Sequence, residues 1–380
     1  MRVEVKPELL RWARERAGLK TSALTARFPK LDRWESGEGQ PTLKQLEHFA
    51  NATHAPVGYF FLAAPPVEPM PIPDFRTMGS VHLERPSANI LDTIYLCQQR
   101  QEWYRDYARW AAADPLPFIG SVTLKKDVEA AARAMRHALK FDLAERRAMS
   151  SWSEALRRFI EQADELGVLV MVNGVVGSNN YRKLDPNEFR GFAIADDLAP
   201  LVFINGSDTK AAQMFTLAHE LAHLWLGQSA VSDTAPSSTP ANHIEAWCNQ
   251  VAAELLVPLK IFREEYRVRA DRQEEMSRLA REFKVSTLVI LRRMLDAGGL
   301  TRAQFVKVYE EELKRLIDLT AKGGGGDFYL TLGARVGKRF ARAVVIDTLE
   351  GQTLYRDAFH LLGFSKIATF ETLGHRLGVV

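Results

Sequence analysis

The chain has little cysteine, no long apolar run and almost no excess of either charge. Cys97 and Cys248 are the only cysteines in 380 residues, too few for a disulfide framework and in keeping with a reducing compartment. No window approaches ~18 consecutive apolar residues, so a transmembrane helix is not expected. The opening stretch, MRVEVKPELLRWARERAG, is charged and periodic and lacks the apolar core of a signal peptide. Lys and Arg number 50 against 47 Asp and Glu, and the resulting +3 is no nucleic-acid footprint by itself. There is no internal repeat. With 46% hydrophobic and 26% charged residues, the chain is neither disordered nor fibrous and can bury a sizeable core. These bounds give the expectation of a cytoplasmic protein, without membrane partners, built from about two or three domains.

Residues 1–62 read as a run of short helices. Leu9, Leu10, Ala13 and Ala17 mark one face, closed by Gly18, and the unit ends through Leu46, Phe49 and the Phe60-Phe61-Leu62 run. Prolines at 65, 66, 69, 71 and 73 then forbid helix, so 63–87 is expected to be an extended connector. Residues 88–162 show helical spacing, with Ser151 a candidate cap for a helix beginning at Trp152. At Gly167 the period changes. Val168–Val172, Gly191–Ala195 and Pro200–Asn205 are short β-type runs. Helix is expected again from Thr209 to about Gly227, and from Ile244 to Leu256 where Pro258 stops it, with a polar surface loop from Ser229 to Asn242 between them. Residues 271–318 are helical, and Gly323–Gly326 make a flexible break inside a C-terminal helical, partner-binding region over 301–380.

The chemistry concentrates in FTLAHELAHL, residues 215–224. His219 and His223 are four apart on a helix, hence ~40° apart around its axis and about 6 Å along it. Two imidazoles at that spacing can bind one tetrahedral metal ion. Glu220 is rotated ~100° from His219 and lies beside that position, where a general base takes a proton from water. The competing reading is a core helix whose histidines only hydrogen-bond. Phe215, Leu217, Leu221, Leu224 and Leu226 mark the helix as buried, however, and buried imidazoles and carboxylates need partners that a metal supplies. The metzincin extension is absent, since Leu226 and Ser229 occupy its positions. A third ligand must come from elsewhere, and His243, Glu245 and Glu254 are the candidates. Glu245 and Glu254 are nine residues apart, half a rotation, so only one faces the site. Glu245 shares a small, apolar face with Cys248, Asn249, Ala252 and Leu256, where a carboxylate needs a cation, whereas Glu254 sits with Trp247 and Gln250 on the side read as solvated or salt-bridged. Asn249 is suited to hold Glu245 or a histidine from behind. Two His and one Glu leave a position open for water. An edge strand at Gly191–Ala195 would pair with an extended peptide, or else is an ordinary packed strand.

FTLAHELAHLWLG followed by IEAWCNQVAAELLVP resembles the ImmA/IrrE family of zinc metallopeptidases. The resemblance implies Zn2+ held by His219, His223 and Glu245, with Glu220 as catalytic acid/base. It implies an α+β fold, a mainly helical multidomain chain with a small mixed β-sheet in a zincin-like core over 163–300. It also implies a repressor-like regulatory protein as substrate. Ala222 replaces the usual glycine of the HELGH core and touches no ligand. The segment SRLAREFKVSTLVILRRML, 277–295, resembles the helix-turn-helix-like stretch that follows this core, or is a structural support.

Residues 6–62 resemble an XRE/Cro-type helix-turn-helix through LLRWARERAGL, Leu31–Gly37 and QPTLKQLEHFA. Leu19 to Trp34 is fifteen residues, where the family has about nineteen, and Phe28-Pro29-Lys30 replaces the turn and the start of the recognition helix. Arg27, Lys30 and Arg33 remain for phosphate contacts, which carry little sequence information. A protein-docking or sensing role is therefore expected ahead of sequence-specific DNA binding. In the tail, Arg335, Lys338, Arg339 and Arg342 form a basic cluster with Phe340 and Val344 interleaved, read as a solvated amphipathic helix or a partner surface. His360 and His375 are isolated. The whole arrangement resembles the regulatory half of toxin–antitoxin pairs. Two functions follow: a zinc endopeptidase acting on a regulatory protein, or a non-catalytic antitoxin or transcriptional regulator that binds a cognate toxin or DNA and keeps zinc structurally.

Overall fold

A computed structural model describes residues 1–74, 86–232, 242–320 and 333–379; at Trp152, Ala211 and residues 317–320 it describes the backbone alone. The Gly323–Gly326 break, most of the 229–242 loop and residues 75–85 of the connector lie outside the described residues. The chain divides into two units, residues 1–71 with 80–95 and residues 72–79 with 96–380.

In the first unit the helices are too short to stand alone, so burial has to hold them. These are α1 (Pro7–Arg16), α2 (Thr21–Thr25), α3 (Leu31–Glu35) and α4 (Leu43–Thr53), with a 3-10 turn at Val57–Phe61. Leu9, Leu10, Phe28, Leu31, Trp34, Phe49 and Phe60 make one core. Arg14 Nε reaches Glu35 Oε1 at 2.8 Å, tying α1 to α3. At α4 a capping box satisfies the first amides: the Thr42 side chain accepts from Gln45 N, and Gln45 Oε1 accepts from Thr42 N. Helix α5 (Ala88–Trp110) starts in this unit and enters the second at Leu96.

The second unit is α+β, mainly helical with a small mixed sheet. Helices α6 (Val128–Leu139), α7 (Leu143–Ala148) and α8 (Trp152–Leu166) precede the sheet, and Ser151 caps α8 by accepting from Glu154 N. Gly167, at φ 114°, ends α8 in a conformation open to glycine, which is why the period changes there. Strands β1 (Leu169–Asn173), β2 (Val175–Val176), β3 (Asn179–Lys183), β4 (Gly191–Ile194), β5 (Leu201–Asn205) and β6 (Ala230–Ser232) follow. The four-stranded sheet runs β1-β5-β4-β6; β1 and β5 are parallel, β4 is antiparallel to both neighbours, and β2–β3 is a separate hairpin. Helices α9 (Lys210–Trp225), α10 (His243–Leu256), α11 (Leu259–Glu265), α12 (Arg272–Phe283), α13 (Thr287–Asp296) and α14 (Arg302–Thr320) come next, then α15 (Lys338–Leu349), α16 (Tyr355–Leu362) and α17 (Ile367–Arg376). Val170, Val202 and Ile204 of the sheet share one core with Phe215 and Leu221 of α9, Val251 of α10 and Leu288 of α13. Each such side chain contributes about 1.5–3 kcal/mol on burial. In the 277–295 segment Leu279, Phe283, Leu288 and Leu291 are core residues. No helix among the described residues is long and apolar enough to cross a membrane.

Of the two readings of Gly191–Ala195 the packed strand holds, because Gly191–Ile194 is paired on both sides. The edge beyond it is β6, inside the stretch read as loop. Its polar sequence hides a strand because Ser232 is buried for a local reason given below. That edge is itself engaged, since Val231 N donates to Pro73 O at 2.9 Å and Asp74 bridges Val231. The basic tail cluster is not one solvated helical face. Gly337 (φ 81°) separates Arg335 from α15, Lys338 pairs with Glu161 at 2.8 Å, and Arg339 donates to the Asp164 carbonyl at the end of α8.

Candidate metal centre

Helix α9 is placed by its start. The Thr209 side chain accepts from Ala212 N, Gln213 Nε2 donates to Asp208 O, and Asp208 pairs with Arg190 at 3.0 Å, just before β4. This locks the helix against the strand that crosses the site. His219, Glu220 and His223 are fully buried, and Glu245, in the first turn of α10, is 1% exposed. His219 Nε2 and His223 Nε2 are 3.1 Å apart; Glu245 Oε2 lies 3.2 Å from the first and Oε1 3.0 Å from the second. One ligand atom from each residue falls within 4.8 Å of the others. Among the described residues this is the one group of three or more His, Cys, Asp or Glu so arranged.

Two more side chains complete the cluster. Asn249 Oδ1 is 3.0 Å from His219 Nδ1 and accepts its proton in the tautomer that leaves Nε2 facing Glu245. Ser232 of β6 was not legible as a site residue. Its hydroxyl lies 3.3 Å from His223 Nε2 and 3.4 Å from Glu245 Oε1, which is why a serine is buried at this edge. Nothing in the polar run around it distinguishes it. Gly191 did carry a signal, since glycine inside a strand marks a close approach. A Cβ there would stand 2.6 Å from Thr216 Cγ2, 2.9 Å from Phe203 O and 3.2 Å from Glu220 Oε1. The missing side chain is the space that Glu220 uses.

Electrostatics separate the two carboxylates. Burial first, then the negative charge of Glu245, push the Glu220 carboxyl well above its ordinary range, and the nearby Ser232 hydroxyl offsets this only in part. Neither Glu220 oxygen reaches a hydrogen-bond partner of proper geometry. Burial would raise Glu245 too, but the charge and hydrogen bonds of His219, with those of His223, bring it down to about 2. Burial lowers His223, favouring its neutral, ligating form. The donor set therefore fits a divalent cation: two imidazole nitrogens and an ionised carboxylate converge, beside a second carboxyl that lacks a protein partner.

The other candidates lie elsewhere. His243 is exposed at the first position of α10. Glu254, expected on a solvated or salt-bridged side, is buried and salt-bridged: Oε2 is 2.6 Å from Arg293 Nη2, and Leu259 N donates to the same carboxylate. Helix α10 is covered on both sides, so its two glutamates find two separate partners. In the first unit Arg27, Lys30 and Arg33 are exposed around the five-residue α3, with the Arg27 guanidinium 5.5 Å from the Phe28 ring.

Comparison with known families gives two matches. Residues 163–295 match the model of a peptidase family, M78, described as the IrrE N-terminal-like domain. Residues 336–376 match a domain of unknown function (DUF8813). No curated protein matches the chain.

Proposed function

We propose that residues 163–300 form a zinc-dependent endopeptidase that cleaves a repressor-like regulatory protein, in a bacterial stress, phage or toxin–antitoxin setting. The reading rests on one observation: His219, His223 and Glu245 converge within 4.8 Å beside a buried Glu220 whose oxygens lack protein partners. The similarity of 163–295 to a peptidase family supports it. His219 Nε2, His223 Nε2 and a Glu245 oxygen would hold the ion. A bound zinc supplies Lewis acidity, polarising a carbonyl and making water acidic enough to ionise near neutral pH.

The chain's own residues do the rest. Asn249 fixes the His219 ring through Nδ1, so the imidazole loses no orientation on binding. Ser232 holds His223 and Glu245 in place from the β6 side. The Glu220 carboxylate takes the proton of the attacking water and delivers it to the leaving amine. With an ion held by His219, His223 and Glu245, Glu220 would keep the ionised form that a base needs, against burial and the Glu245 charge. An extended substrate adding to this sheet would meet β6, where the Ile72–Asp74 segment already pairs. In the first unit, the exposed Arg27, Lys30 and Arg33 around a short α3 suit protein docking or phosphate contacts better than base reading.

The test has two steps. Elemental mass spectrometry on the full chain should find close to one zinc per wild-type chain and per Glu220→Gln chain. Glu220→Gln should then be unable to cleave a regulatory protein that the wild type cuts. A wild type that takes up no zinc after reconstitution sinks the reading and leaves an interaction protein.

A further inference from the structure

We propose that the cleft between the β2–β3 turn, α5 and the end of α16 binds a small organic anion, whose phosphate or carboxylate head is taken by Arg100. The cleft has a volume of about 420 Å³, within the usual range for small-molecule sites. Arg100 lines it and is 2% exposed. Its Nε donates to Leu361 O at 3.0 Å and its Nη1 to the Met171 sulfur at 3.6 Å, a weak acceptor. No carboxylate is paired with it. Arg293, by contrast, meets both Glu254 and Asp296, whereas Arg146, buried in the same unit, donates to the Leu256 carbonyl and has no carboxylate either. A second cation, Arg335, makes no ion pair, and its Nε is buried without a partner. Burial, with Arg335 adding to it, lowers Arg100 to about 10. Two neighbouring cations without a counter-charge favour an anion.

The rest of the cleft supplies what such a ligand needs. The side chains of Ser178, His360 and Ser365 border it, and none is engaged in a hydrogen bond. Together with the open edge of a planar guanidinium they are hydrogen-bonding groups for the oxygens of a phosphate or carboxylate. Leu96, Phe359 and Phe364 form the apolar wall for the remainder of the molecule. His360, isolated in the sequence, lines the same cleft as Ser178 because the fold brings α16 and the β2–β3 turn together. A ligand there would touch the region similar to a domain of unknown function, α5 and the β2–β3 turn together.

Isothermal titration calorimetry on the full chain tests this with three probes: phenyl phosphate, benzoate, and benzamide as the neutral counterpart of benzoate. Saturable one-site binding of either anion, with no binding of benzamide, is expected, and the anion that binds identifies the head group. Arg100→Met removes the fork, and Ser178→Asp sets a carboxylate on the exposed turn without touching the core. Both should weaken binding at least roughly tenfold. Ser178→Asp keeps the test decisive should Arg100→Met fail to fold. The proposal is overturned by no saturable binding of either anion up to ~10 mM, by benzamide binding as tightly, or by indifference to Ser178→Asp.

Discussion

Replacing Glu254 with alanine separates the two buried glutamates of α10 by their work. Glu254 Oε2 lies 2.6 Å from Arg293 Nη2, with side chains 9% and 4% exposed, and its carboxylate also accepts from Leu259 N where α11 begins. Removing one partner of a buried pair costs about 3–5 kcal/mol, because a charge is left without compensation. Arg293 keeps Asp296 at 2.9 Å and the Val257 carbonyl at 2.7 Å, so the lower end, about 3 kcal/mol, is expected. For a unit of nearly 300 residues that is a drop in Tm of roughly 5 °C, read by calorimetry on the metal-free chain. Zinc stoichiometry, measured on the same preparation, should stay at the wild-type value. Glu245→Ala should reverse the pattern, losing the metal while the metal-free protein melts closer to wild type. The reasoning fails if Glu254→Ala melts like wild type but loses metal, or if Glu245→Ala retains one metal per chain.

Glu220→Gln should stabilise the metal-free protein increasingly with pH. The carboxyl is raised in the folded state, so its contribution is full below the ordinary carboxylate range and is lost as pH rises through the folded value. The Tm advantage of the variant should therefore be absent in acid, grow toward pH 8 and shrink when zinc is added; an advantage independent of pH would contradict it. Asn249→Ala frees the His219 ring and should weaken zinc affinity about 10–100-fold, measured by chelator competition, with one zinc still bound at saturation. An unchanged affinity would show that the His219 ring is held by something else. Gly191→Ala drives a Cβ against Thr216 and the Phe203 carbonyl and should cost about 1–3 kcal/mol in urea denaturation. Wild-type stability in that variant would show that the strand gives way freely.

Local chemistry made much of the site legible. Helical spacing alone sets His219 and His223 on one face, and the half-rotation between Glu245 and Glu254 assigns them to opposite sides of α10, as the structure has them. The change of period at Gly167 marks where α8 ends, because only glycine readily takes that backbone conformation. What the sequence could not carry is what depends on pairing across the sheet and on burial by distant segments. The Gly191 strand reads the same whether it is an edge or an interior strand. Only the register with β5 and β6 makes it interior, and only Pro73 meeting Val231 shows that the next edge is engaged. Ser232 looks like loop, and Glu254 like a solvated or salt-bridged helix residue. Ser232 meets Glu245 from 13 residues away, and Glu254 meets Arg293 from 39. Spacing along one helix is a property of the chain itself. Which distant groups share a buried space is decided by the packing of the whole unit, where an unpaired charge or donor is costly enough to show its purpose.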